Sequence, residues 1–301
     1  MKGIILAGGA GTRLYPASLS ISKILLPIYD KPMIYYPICT LMLAGIKDIM
    51  IITNSRDKNN FIDVLGDGSQ FGLNFQYAIQ HEPRGIVDAF LIAEDFINGD
   101  SSCLVLGDNI FHGMHFIHLL KRAASRIAGA TIFGYNVSDP QRFGVVEFDQ
   151  NYKVISIEEK PQNPKSDYAI TGLYFYDSHV CEYAKTVKPS ARGELEITDL
   201  NKIYLERNEL NVEILGRGFA WLDTGTFDSM LQASNFVQSM ELNTGVKIAC
   251  LEEVAYKYGF LTAEQIEENI SNFRSNSYYE YIKKVIKRGK SKLLNLGLSC
   301  E

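Results

Sequence analysis

Cysteine is sparse in this 301-residue chain: Cys39, Cys103, Cys181, Cys250 and Cys300 are scattered, odd in number and never set as C-x-x-C. That spacing speaks against a disulfide framework or a thiolate zinc site and reads as reduced, mostly structural thiols. Positive charge is also short. The 30 Lys and Arg stand against 35 Asp and Glu, a formal net charge of −5, whereas gripping a nucleic-acid backbone requires clustered cations. A small anionic substrate needs only a few focused ones. No apolar run approaches the ~20 residues of a membrane span, and Lys2-Gly3-Ile4-Ile5-Leu6-Ala7-Gly8-Gly9 is too short and glycine-rich for a signal peptide. The expected compartment is the cytoplasm, with neither nucleic acid nor membrane as partner.

What the chain has is ordinary globular material, 46% apolar and 22% charged, enough for a core. Its first half alternates short apolar runs with helical patterns, as a parallel sheet with crossover helices requires. Strands are predicted at 3–7, 48–53, 74–79 and 102–106. Asp30 is expected to cap a helix starting near Lys31-Pro32 and ending at Leu43, with further helices at 57–65, 86–96 and 114–128. Strand-like runs at 130–136, 143–148, 153–157 and 168–176 extend the sheet over one side of a site. Helix is predicted at 198–207 and 227–240, with extended segments at 212–215 and 219–222 between them. The fold class is α/β, a Rossmann-like, mixed but mostly parallel sheet flanked by helices. A catalytic unit, 1–243, is followed by a helical addition, 244–301.

The loop Gly8-Gly9-Ala10-Gly11-Thr12-Arg13 after the first strand offers unobstructed backbone N–H groups that can converge on one anion, and Arg13 adds a fixed positive fork. Leu14 breaks the last glycine of G-x-G-x-x-G, and no Gly-Lys-Ser/Thr follows at P-loop spacing; a purely structural tight turn is the alternative. Lys23 is near enough in sequence to reach the same phosphates, although most lysines are solvated. Asp108 ends the apolar run 103–107, at the carboxyl end of a buried strand where open α/β sheets collect ligands. Asp223 follows another short apolar run, and two carboxylates suffice to hold Mg2+ on a nucleotide. The plainer reading makes Asp223 a helix N-terminal residue.

Glu158-Glu159-Lys160-Pro161 and Arg192 set both charge signs at strand ends, suited to sugar hydroxyls and a sugar phosphate but equally common on surfaces. Nucleotidyl transfer needs positioning and charge neutralisation more than covalent help. Arg13, Lys23, Asp108, Lys160 and Asp223 supply the parts, and no Ser-His-Asp or Cys-His spacing competes. His112, His115 and His118, set on one helix, would lie about 60° and 120° apart around its axis, a fan and not a zinc cluster.

In this order the motifs closely resemble the bacterial glucose-1-phosphate thymidylyltransferases over nearly all of residues 1–260. The blocks are 2–9, Thr12-Arg13-Leu14, 29–37, Leu106-Gly107-Asp108-Asn109, 142–148, 158–161, 169–174, 192–199 and Trp221-Leu222-Asp223-Thr224-Gly225-Thr226. The resemblance implies the nucleotide-diphospho-sugar transferase type of fold and transfer of the thymidylyl group of dTTP to glucose 1-phosphate. The products would be dTDP-glucose and pyrophosphate, on the way to dTDP-rhamnose. It implies Leu6, Gly8, Gly9, Gly11, Thr12, Arg13, Lys23, Gln80, Gly85 and Asp108 around the nucleotide, and Asp108 with Asp223 on Mg2+. Asn109, Gly144, Glu159, Lys160, Ile170, Thr171 and Arg192 would hold the sugar phosphate. A homotetramer and a second, regulatory dTDP-sugar site also follow from the resemblance.

Two departures touch the nucleotide side. Ile24 stands where the family usually has Gln, removing a polar contact to the nucleotide, and His81-Glu82-Pro83-Arg84-Gly85-Ile86-Val87-Asp88 replaces Pro-Ser-Pro-Asp-Gly-Leu-Ala-Gln. They motivate a second reading, the same chemistry with another triphosphate such as UTP or another sugar 1-phosphate. A third reading, of another class, is a non-catalytic nucleotide-sugar-binding regulatory homologue.

Overall fold

In the computed structural model, which describes residues 1–9, 11–271 and 273–296, nine strands form one mixed sheet. Ala10 of the glycine loop, Cys300 and the end of the tail lie outside the described residues. The parallel half is built from β1 (Lys2–Leu6), β4 (Asp48–Thr53), β5 (Asn74–Ile79) and β6 (Ser102–Leu106), ordered β6-β1-β4-β5. β1, β4 and β6 are the apolar runs that only a sheet covered on both faces can bury, while β5, at the edge, is half exposed. The chain moves outward from β1 to β4 and β5, then returns to β6 on the other side of β1. The order reverses between β1 and β6, the switch point at which such sheets leave a crevice at their carboxyl ends.

Beyond β6 the sheet turns antiparallel through β11 (Tyr168–Tyr176), which pairs with β6, β8 (Ala130–Asn136) and β9 (Gly144–Phe148). The edges are β10 (Val154–Glu159) beside β9 and β12 (Leu210–Leu215) parallel to β8. Two ribbons lie outside the sheet. One joins β2 (Pro27–Ile28) to β3 (Lys31–Pro32), the other β7 (Asn109–His112) to β13 (Ala220–Asp223) in antiparallel register that sets Asp223 opposite Asn109.

Helices α1 (Tyr35–Leu43), α2 (Lys58–Leu65), α3 (Asp88–Ile92), α4 (Glu94–Ile97), α5 (Phe116–Ala124), α6 (Val180–Ala184) and α7 (Ile197–Glu206) cover the two faces. One apolar core packs around Ile5, Ile51, Leu41 and Phe133, and a second, across the sheet, around Ile4, Ile52, Phe90 and Tyr176. After α8 (Phe227–Thr244) come α9 (Leu251–Lys257), α10 (Ala263–Ser271) and α11 (Ser277–Leu296). Ile248, Leu251 and Ala255 join the core that holds α1, while Ile266, Ile270, Ile282 and Ile286 pack into a smaller one.

Three expectations change. Lys31 and Pro32 are ribbon, and the helix starts only at Tyr35; the Asp30 carboxylate is drawn off to Lys31 and Lys247, so it caps nothing. The single helix expected over 86–96 divides at Ala93 into α3 and α4. The three histidines do not share a helix: His112 ends β7, His115 has a left-handed φ of 63° before α5, and only His118 is helical.

Candidate functional site

The crevice between β1 and β6 gathers residues from both halves of the chain. The Gly107 amide donates to the Leu6 carbonyl at 3.0 Å, holding the glycine loop and the Asp108 turn side by side. Gly11 bends the loop with φ 63°, and its carbonyl accepts from Ser18 Oγ at 2.6 Å. Arg13 is thereby carried to the β13–α8 turn, where a β-carbon at Gly225 would stand 2.9 Å from its guanidinium.

Ser22 caps the next single turn by accepting from the Ile24 amide. That turn aims Lys23 at Asp108 and buries Ile24 beneath Gly107, 2% exposed. Lys23 is therefore no solvated surface lysine. The departure at Ile24 puts an aliphatic group into the core beside the Asp108 turn.

Asp108 and Asp223 meet because β13 pairs with β7. Thr224 donates to the Asp108 carbonyl through its amide at 3.0 Å and its hydroxyl at 2.8 Å. Helix α8 is capped by Thr226 and Ser229, so Asp223 is left free of the helix-end role. Burial raises the Asp108 carboxyl, but the charge and hydrogen bond of Lys23 and the Asn109 amide outweigh it and hold the group below its ordinary range. Asp223 is pushed up, first by burial and then by the Asp108 charge, against weaker pulls from Lys23, Arg13 and Arg142. The two carboxylates bring hard oxygen donors to one place, within the field of Lys23, Arg13 and Arg142. Two such carboxylates fit a divalent ion completed by phosphate oxygens and water; among the described residues no group of three or more acidic, His or Cys side chains is placed to hold a metal ion.

Asn109, 3% exposed, braces this centre. Its Oδ1 accepts from the Gly172 amide at 3.0 Å and from Trp221 Nε1 at 2.6 Å, which turns its amino group toward Asp108 Oδ1 at 3.0 Å. On the antiparallel side, Gly144 pairs with Glu159 across β9 and β10 and packs near Ile170. Glu159 accepts from Thr198 Oγ1 at 2.6 Å. Lys160, with φ 43°, turns away from the strand on a half-exposed side chain, its ammonium 3.6 Å from Glu159.

Arg192 forks onto Glu196 at 2.8 Å to both oxygens and reaches Glu159 only at 3.5 Å. Thr171 is buried with its hydroxyl unpartnered. Gln80 and Gly85 lie on the far side of the glycine loop, Gln80 against Gly8. Thr198, Trp221 and Thr224, absent from the sequence-based set, close the site; Trp221 and Thr224 lie in the same short block as Asp223, the one signal that could have found them.

The sheet with its switch-point crevice and paired carboxylates defines an α/β nucleotide-binding protein of the transferase kind. A nucleotidyl transferase family model matches residues 2–240. The glucose-1-phosphate thymidylyltransferase of Neisseria meningitidis is 57% identical over 96% of this chain and all of that protein. The protein of that name from Mycolicibacterium smegmatis is 51% identical over the same shares. A solved glucose-1-phosphate thymidylyltransferase from Bacillus anthracis, in complex with sucrose, superposes with a TM-score of 0.72 at 45% identity, covering 78% of this chain and 94% of that one. A UDP-glucose pyrophosphorylase shares the fold, with a TM-score of 0.71 at 24% identity, over 79% of this chain and 98% of its own. The chain belongs to the glucose-1-phosphate thymidylyltransferase family of nucleotidyl transferases.

Proposed function

We propose that the chain transfers the thymidylyl group of dTTP to glucose 1-phosphate, giving dTDP-glucose and pyrophosphate. What supports this reading is the meeting of Lys23 with Asp108 at the carboxyl ends of the parallel strands, where the β7–β13 ribbon also brings Asp223, together with the grouping of Gly144, Glu159, Lys160 and Ile170 on the antiparallel side of the same sheet. Leu6, Gly8, Gly9, Gly11, Thr12, Arg13 and Lys23 hold the triphosphate, with Gln80 and Gly85 at the base. Glu159 accepts sugar hydroxyls, and Lys160, on its strained turn, holds the sugar's phosphate. That phosphate's oxygen attacks the α-phosphorus, the bond to the β-phosphate breaks, and pyrophosphate leaves with its charge met by Arg13 and Lys23. These residues hold two polyanions in line and do little covalent chemistry, as such transfer requires.

Asp108 and Asp223 are the residues to hold Mg2+, which when bound neutralises charge building on the phosphate oxygens. A cation must displace the proton that Asp223 retains to higher pH than an ordinary aspartate. Affinity for Mn2+, read by titration with dTTP present, is therefore expected to fall as pH drops from neutral through that raised range, and the fall should vanish in Asp223→Asn. A profile that begins to fall only at the ordinary aspartate pKa would contradict the assignment.

A homotetramer and a second dTDP-sugar site belong to the same reading. A cavity of about 530 Å³ between α1, the β7–α5 turn and α9, lined by Tyr36, Phe111, His112, His118, Lys257 and Tyr258, has the size of a ligand pocket and pairs aromatic faces with a cation. Initial rates with glucose 1-phosphate and each of dTTP, UTP, dCTP and dATP test the activity. A clear preference for a triphosphate other than dTTP would favour another nucleotide; no pyrophosphate release with any would favour the regulatory role.

A further inference from the structure

The segment 81–88 contains a device of its own. Gly85 has φ 107°, and a β-carbon there would stand 2.5 Å from the Leu195 carbonyl oxygen. The Leu195 amide donates to the Arg84 carbonyl at 2.7 Å, and the Val87 amide to the Leu195 carbonyl at 3.3 Å. This clamp fixes Asp88, 1% exposed, beneath Gln80, 7% exposed. Gln80 Nε2 donates to Asp88 Oδ2 at 3.0 Å and to the Gly85 carbonyl at 3.3 Å, while Arg84 donates to the other oxygen, Oδ1, at 2.5 Å. A carboxylate only accepts, so it can face nothing but the amino end of the glutamine. Both N–H groups of that amide are thus committed inside the protein. Its carbonyl oxygen is left facing the glycine loop, 3.0 Å from where a β-carbon on Gly8 would stand.

We infer that Asp88 is a specificity-determining positioning residue: by locking the Gln80 amide it presents the nucleotide with an acceptor only, and so selects bases that carry a ring N–H. Thymine, uracil and guanine offer such a donor; cytosine and adenine offer a lone pair, which would meet the Gln80 oxygen head-on. The inference rests on the reading that Gln80 faces the base. Arg84 makes the lock directional. In Asp88→Asn the guanidinium, which can only donate, takes the new amide's oxygen, so the asparagine's amino group confronts Gln80 and turns it round.

The test is nucleotide binding without sugar phosphate, measured by calorimetry with dTTP and dCTP in the presence of Mg2+. Wild type should bind dTTP well above dCTP; Asp88→Asn should lower the dTTP:dCTP affinity ratio at least ~10-fold, the scale of a hydrogen-bond mismatch. The double variant Arg84→Ala/Asp88→Asn should regain much of the ratio, because its asparagine is free to offer oxygen to Gln80. A merely structural role would lower both affinities together and show no rescue. An unchanged ratio in Asp88→Asn, with melting temperature and dTTP binding retained, would overturn the lock. Turnover separates the two readings: a chain that discriminates dTTP as described yet releases no pyrophosphate with glucose 1-phosphate keeps the lock and loses the proposed activity.

Discussion

Asp108→Asn and Asp223→Asn should each lower pyrophosphate release by roughly 10²–10³-fold, the cost of losing a group that stabilises transition-state charge, and should shift stability in opposite directions. Asp223 is held above its ordinary pKa by burial and by Asp108. The folded state favours its protonated form, so ionising it costs stability as pH rises; at neutral pH the neutral asparagine removes that cost, and the metal-free variant should melt higher than wild type. Asp108 is held below its ordinary pKa by Lys23 despite burial. Its contribution to stability is present above the ordinary carboxylate pKa and is lost only as pH falls through the lowered one. Asparagine there strands the ammonium of Lys23, whose side chain is only 12% exposed, and the variant should melt lower. Calorimetric melts beside activity assays would check both signs. If both variants destabilise equally and retain activity, the carboxylate pair is structural.

Lys31→Met should be the most damaging single change outside the site. Lys31 is 3% exposed and pairs with Asp30 and with Glu241 at 3.0 Å; Lys247 closes the ring through Asp30 and through Glu241 at 3.0 Å. The ring ties the β2–β3 ribbon to the end of α8 and the start of the helical addition, and Glu241 also accepts from the Ile248 amide at 2.9 Å. Removing one cation leaves two mostly buried carboxylates sharing the other. Breaking such a pair costs roughly 3–5 kcal/mol, a melting temperature lower by roughly 5–8 °C for a chain of 301 residues. Lys31→Met combined with Glu241→Leu should cost less than Lys31→Met alone, since the unpaired charge is then gone. A loss below about 1 kcal/mol for the single change would class the ring with exposed salt bridges. Asp30 is held low by Lys31 and Lys247 against its burial, so its share of stability is present above the ordinary aspartate pKa and is lost as pH falls through the lowered value.

The parallel strands were legible because Ile4, Ile5, Ile49, Ile51, Leu104 and Val105 leave no polar face, and Asp108 was legible because it ends such a run. Asn109–His112 was not. Four residues with a polar start carry no period, and their partner strand begins over a hundred residues later. Lys31-Pro32 resembled a helix start because proline suits a first turn, but the Asp30 charge was committed to cations far along the chain. The break at Ala93 has no glycine or proline to announce it. The histidine fan assumed a helix that begins only at Phe116. Asp108 and Asp223 could be paired from sequence because each ends an apolar run, whereas the lock on Gln80 was hidden, its meaning lying in partners that folding, not spacing, brings together.

The most direct test of the account is the ³¹P spectrum of the products formed from dTTP and glucose 1-phosphate with Mg2+. Both substrates should be lost in step, with dTDP-glucose and pyrophosphate growing in equal amounts. Unchanged glucose 1-phosphate, with dTTP either intact or hydrolysed, would contradict it.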